Sequence, residues 1–212
     1  MRVFANKRRN KSKGKPKPLM LLVAEGENVT EQKYFNRFKT PDCPYSIIVH
    51  KAGNTTDPVG LKASVERRWR EEEGSPEDGD RCCVITDLDC DKDKATLIQK
   101  LQGESEVVRF VVSNPCFEIW FLLHFQYTTH EFTDGKEVIR ELRKHIAGYK
   151  KDMDVYPIIK EFMSGAIINS KKLIAHFEAD KYVWPDVRCN PRTDVWELVA
   201  CLIKDDKDFE KA

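Results

Sequence analysis

The stretch that decides the fold is RCCVITDLDCDKDKATLIQKLQGESEVVRFVVS, residues 81–113. RCCVITD (81–87) is a short apolar run closed by an acid, and EVVRFVV (106–112) is a second run rich in β-branched residues. Between them DKDKATLIQKLQ (91–102) has helical spacing. Two buried strands joined by one helix predict a parallel pair with a crossover.

Working outward, LMLLVA (19–24) reads as a strand buried on both faces, and YSIIVH (45–50) as another. Between these two lies EGENVTEQKYFNRF, where Asn28 and Glu31 have the spacing of a capping box and Tyr34, Phe35 and Phe38 share a helical face. A helix from about Pro58 to Glu73 would turn Val59, Ala63 and Trp69 inward. The chain thus predicts an α/β fold: a three-layer, Rossmann-like parallel sheet flanked by helices.

Past Ser113 the pattern changes. NPCFEIWFLLHF begins with Asn114 and Pro115, an N-cap and first-turn pair, and continues as an apolar helix. Helices follow near 135–147, 155–163, 169–179 and 193–204, with no strand among them. The expected organisation is a basic arm over 1–18, an α/β unit over 19–113, and a helical C-terminal extension over 114–212 packed on the same domain.

The chain has 212 residues, 41% apolar and 33% charged, as in a globular protein. No apolar run approaches the roughly 20 residues needed to cross a bilayer, and no secretory signal is seen, so a cytoplasmic protein without a membrane role is expected. The seven cysteines include no CxxC pair, which argues for reduced thiols over a zinc ribbon. The net charge of +1 hides an asymmetry: residues 1–18 hold eight Lys or Arg and no acid, leaving 28 basic and 35 acidic residues in the remainder. Lys7, Arg8, Arg9, Lys11, Lys13, Lys15 and Lys17 therefore form either a tether for nucleic acid or a solubilising tail.

Ligands of open parallel sheets bind at the carboxyl ends of the strands, near the point where strand order reverses. Strand one exits into Glu25, strand three into Asp87 and Asp89, and strand four leads through Ser113-Asn114-Pro115 to Glu118. Such a cluster would repel itself, and Mg²⁺ or Mn²⁺ would remove that cost. Two-residue spacing would point Asp87 and Asp89 the same way on an extended chain. Each acid also has a structural explanation: Glu31 closes its capping box, Asp91 and Asp93 favour a helix N-terminus, and Glu118 sits at a helix start. DLDCDKDKATLI imitates a calcium loop, but Lys92 and Ile98 stand where Gly and Glu are required. No GxGxxG, P-loop or HExxH motif occurs. His124 is a proton-transfer candidate off the Glu118 face, and Lys171 and Lys172 could approach phosphates or simply be solvated.

EGENVTEQKYF (25–35), ITDLDCD (85–91), SNPCFEIWFLLHF (113–125) and NPRTDVWELV (190–199) together resemble the RloB-like family, which is AbiLii-related. That resemblance implies a Toprim-like fold, whose site uses a Glu after the first strand and a DxD after the third. These positions are Glu25, Asp87 and Asp89 here, with Glu118 in the family's own motif. It further implies a phage-defence protein of the abortive-infection type, often encoded beside an ABC/AAA-type ATPase. The helical C-terminal part departs from a generic Toprim domain.

The expected function is a divalent-metal-dependent nuclease. Glu25 would be ligand or general base, Asp87 and Asp89 ligands, and Glu118 a supporting ligand, with DNA or RNA as substrate. A homo-oligomer is compatible with this reading. The alternative is a catalytically inactive interaction or nucleic-acid-binding module, and nucleotidyl transfer ranks third for want of a nucleotide-binding loop.

Overall fold

The computed structural model describes residues 16–25, 29–53 and 55–203. Five strands form one sheet in the order β2-β1-β3-β4-β5: β1 (Leu19–Ala24), β2 (Ser46–Lys51), β3 (Arg81–Asp87), β4 (Val108–Asn114) and β5 (Arg192–Thr193). The first four are parallel and β5 is antiparallel to β4. The short β5 was not expected from the sequence. Two residues are too few to show a strand period, and they are strand only because Thr193 and Arg192 meet Ser113 and Asn114.

Alternation along the central strands sorts their side chains into two layers. Leu19, Leu21 and Val23 of β1 join Cys82, Val84, Phe110 and Val112 on one face. That face is covered by α2 (Pro58–Glu71) and α3 (Lys92–Gly103), through Leu61, Val65, Ala95, Ile98 and Leu101. Met20, Leu22 and Ala24 join Cys83, Ile85 and Val111 on the other face. There they meet α1 (Val29–Asn36), α4 (Glu118–Leu122), α5 (Gly135–Leu142), α6 (Tyr156–Ile159), α7 (Met163–Glu178) and α8 (Val195–Ile203). One continuous apolar cluster therefore runs from β1 into the C-terminal helices.

Several local expectations are corrected. In α2, Asp57 caps the helix by accepting from Gly60 N at 2.8 Å, and Pro58, Leu61 and Val65 form the buried stripe. Val59 and Ala63 stand one position off that stripe and are exposed. Asn114 does not cap the following helix. It is the last residue of β4, the Asn114–Pro115 peptide is cis, and its side-chain amide donates to the Val187 and Cys189 carbonyls. The apolar helix expected after it is only Glu118–Leu122, followed by turns to Phe125. Likewise α7 begins at Met163, six residues before the expected start, because a 3-10 turn over Lys160–Phe162 runs straight into it.

All seven cysteines are free thiols, six of them buried. No helix among the described residues is long and apolar enough to cross a membrane.

Candidate metal centre

The sheet order reverses direction between β1 and β3, so their carboxyl ends open on one crevice. Glu25 follows β1 directly, and its backbone N–H still donates to Ile85 O of β3. Its carboxylate is fixed from the β3 side: Thr86 Oγ1 donates to Glu25 Oε2 at 2.7 Å, and Asp87 N at 3.2 Å.

Asp87 ends β3 and is turned inward, where its Oδ1 accepts from Phe117 N at 2.8 Å. Asp89 lies differently. Extension stops at Asp87, and Asp89 and Cys90 adopt left-handed φ values of 56° and 57°. The two-residue spacing thus fails to align the carboxylates: Asp87 is turned inward and partly buried, whereas the Asp89 side chain is 60% exposed. Lys94 restores a link, its ammonium donating to Asp89 Oδ2 at 3.0 Å and to both Glu25 oxygens at 3.2 and 3.3 Å.

Glu118 enters from the opposite side on α4 and is almost fully buried. A carboxylate among Phe117, Ile119, Trp120 and Phe121 needs partners. Tyr149 OH supplies one, donating to Oε1 at 3.1 Å, and Lys151 Nζ stands 3.8 Å from the same oxygen. The segment carrying Tyr149 and Lys151 is strapped to α1. Thr30 Oγ1 donates to Lys151 O, Lys33 Nζ to Asp152 O, and Arg37 pairs with Asp154.

Glu31 is the residue that the sequence reading assigned to capping. It is 4% exposed, and its Oε2 has no hydrogen-bond partner, nor does Glu118 Oε2. Asn28, its expected capping partner, lies outside the described residues. Burial, then the charges of Glu118 and Glu25, raise the Glu31 carboxyl to about 7, against its own backbone N–H and Lys151. Burial also pushes Asp87 well above the usual carboxylate range, with Glu31, Glu118, Asp89 and Glu25 all adding to it. Five carboxylates thus feel one another at the strand ends, and they are only partly balanced by Lys94 and Lys151.

Lys94 and Lys151 were not singled out from the sequence, and Glu31 was assigned there only to capping. Glu31 stands four residues before Phe35, which places it on the buried face of α1 and is a usable signal. Lys94 stands in the first turn of α3, against the helix dipole, which is another. Lys151 gives none, since its approach depends on the fold of the strap.

The other candidates lie apart from the carboxylates. His124 Nδ1 pairs with Trp120 O at 2.8 Å, and burial lowers the imidazole to about 4. Lys171 and Lys172 stack over Trp196 and Tyr127. Lys17 donates to the Pro41 and Cys43 carbonyls, so its ammonium serves the chain itself. Lys7, Arg8, Arg9, Lys11, Lys13 and Lys15 lie outside the described residues.

Carboxylate oxygens are the donors that Mg²⁺ and Mn²⁺ prefer, and two buried carboxylate oxygens without partners are the mark of an unmet demand for a cation or protons. The donor chemistry fits. The geometry is not that of a closed cage: among the described residues no three His, Cys, Asp or Glu side chains stand together as a ready ligand group.

No curated protein and no solved structure matches the chain. The family model described as RloB-like protein matches residues 20–202, a span that includes every carboxylate of the crevice and most of the chain. On that match, this chain belongs to the RloB-like protein family.

Proposed function

We propose that the chain is a divalent-metal-dependent nuclease of the Toprim type, with Glu25, Asp87 and Asp89 as its principal site residues. The observation that carries the reading is the convergence of these carboxylates with Glu31 and Glu118 at the β1 and β3 ends, two oxygens of the group being buried and unpartnered. The excess of carboxylates over Lys94 and Lys151 there costs stability unless a cation offsets it. The defence setting, and an ABC/AAA-type ATPase partner, rest on the family resemblance.

Bound Mg²⁺ or Mn²⁺ supplies a more acidic water and neutralises charge at a phosphodiester. Glu25 is the most firmly oriented ligand, since Thr86 Oγ1 and Asp87 N fix one of its oxygens. Burial and the neighbouring carboxylates raise both Asp87 and Glu31, the latter to about 7, so a cation bound there would compete with protons. Glu118, with its Oε1 held by Tyr149, supports from the buried side. Asp89, largely exposed, is the carboxylate best placed to meet incoming substrate.

The pairing of Lys94 with Glu25 and Asp89 favours a second reading, in which the crevice is an internally neutralised, catalytically quiet module. Mn²⁺ calorimetry on wild type and Asp87→Asn separates the two. Binding that vanishes in the folded variant supports a nuclease and justifies a cleavage screen on DNA and RNA. No binding by wild type, with nucleic acid also present, leaves the quiet module.

A further inference from the structure

Lys94 is the third residue of α3, where unpaired backbone N–H groups disfavour a cation. Nothing in the helix asks for lysine there. Asp91 caps it, its Oδ1 accepting from Asp93 N at 2.8 Å and Lys94 N at 3.0 Å. The ammonium instead reaches back over the strand ends to Glu25 and Asp89, and the side chain is only 13% exposed.

Glu25 does not depend on Lys94 for its orientation, because Thr86 and Asp87 hold it from the other side. What Lys94 adds is positive charge between two carboxylates that come from different strand ends. That is the place, and these are the oxygen donors, that a hard divalent ion would use.

We infer that Lys94 is a placeholder cation, whose ammonium neutralises Glu25 and Asp89 until a divalent ion displaces it, and which thereby sets divalent affinity by competition. The inference rests on the metal-site reading above. A divalent ion prevails because it carries twice the charge at similar distance. The displaced ammonium stays tethered beside the strand ends on a flexible four-carbon stem, ready for the phosphate of a polyanionic substrate. Divalent binding and phosphate binding are then ordered, metal first.

The test is Mn²⁺ calorimetry on the full chain at pH 7.5, comparing wild type, Lys94→Met and Lys94→Arg. Methionine removes the competitor without removing a proposed ligand, and Mn²⁺ should bind about tenfold tighter or more. Arginine keeps the charge and grips two carboxylates with a fixed fork, so affinity should fall below wild type. Melting in chelator gives a second readout: Lys94→Met should melt lower than wild type when metal-free and gain more from Mn²⁺. A merely structural lysine would lower the metal-free melting point and leave affinity where it was.

Wild-type binding with equal or weaker binding by Lys94→Met overturns the placeholder and spares the metal site. No Mn²⁺ binding by any of the three overturns both. Should Lys94→Met fail to fold, the arginine variant decides, and affinity unchanged from wild type overturns the inference.

Discussion

Phe117 N donates to Asp87 Oδ1 at 2.8 Å, so the acid that ends β3 also fastens the turn that delivers Glu118. One carboxylate thus joins the two sides of the crevice: the strand ends carrying Glu25 and Asp87, and the buried helix α4. The relationship explains why Asp87 tolerates burial among like charges. Its hydrogen bond makes it an anchor for that turn.

Asp87→Asn retains an oxygen acceptor for Phe117 N while removing a charge from the cluster. Metal-free stability should stay equal or rise by about 1 kcal/mol, and Mn²⁺ binding should be lost. Asp87→Ala removes the acceptor too and should cost about 1–3 kcal/mol. Urea melts in chelator and Mn²⁺ calorimetry read the two effects separately, and a destabilised asparagine variant would contradict the account.

Glu31 gives the crevice a pH signature. Its carboxyl is raised to about 7 in the fold against an ordinary value of 4.5, so the folded chain binds the extra proton between those limits. The corresponding stability is present below about 4.5 and lost as pH rises through 7, a change of about 3 kcal/mol at most. Glu31→Gln should flatten that decline in chelator melts. Mn²⁺ should stabilise wild type more at pH 8 than at pH 5.5, and binding at pH 7 should release about half a proton from Glu31, seen by calorimetry in buffers of different ionisation heat.

His124 should act in the opposite direction. Burial holds its imidazole at about 4 against 6.5, so the unfolded chain binds the extra proton. Stability from this group is present above pH 6.5 and lost as pH falls through 4, again by about 3 kcal/mol. Because the window overlaps that of Glu31, the difference between wild type and His124→Gln, rather than the wild-type curve, is the quantity to measure. An unchanged slope in the variant would show that the imidazole is charged or solvated in the fold.

Asp194 closes the far edge of the sheet. Its Oδ2 accepts from Trp184 Nε1 at 2.7 Å and from Val112 N at 3.3 Å, beside the Ser113–Thr193 hydroxyl pair at 2.8 Å. Asp194→Ala leaves both donors without that acceptor and should cost about 2–4 kcal/mol. If the NPRTD segment is architectural, Mn²⁺ affinity of the folded variant should equal that of wild type.

The N-terminal arm can be tested without disturbing Lys17, which is bonded to the 41–43 turn. Removing residues 1–15 should weaken nucleic-acid binding and flatten its dependence on salt, since each phosphate neutralised contributes to the slope. A slope equal to that of the full chain would assign the arm to solubility.

The sequence by itself determined the four parallel strands of the sheet. LMLLVA, RCCVITD and the run through VRFVV must be buried on both faces, and short apolar strands alternating with helical spacing leave a parallel, helix-covered sheet as the economical arrangement. It also determined where to look, because acids that follow such strands stand at the carboxyl edge whatever the loops do. Only the tertiary structure decided which acids meet and what balances them. Asp89 left the line of Asp87 because two left-handed residues turn the chain out of the strand, and a pattern of residue types does not reveal that turn. Glu31 proved to face the crevice because α1 packs its Thr30–Phe35 face toward Glu118 and the strap. Lys151 arrived from 33 residues beyond Glu118 in the chain, held there by Thr30 and Lys33. Burial and charge depend on what lies near in space, and periodicity along the chain records only what lies near in sequence.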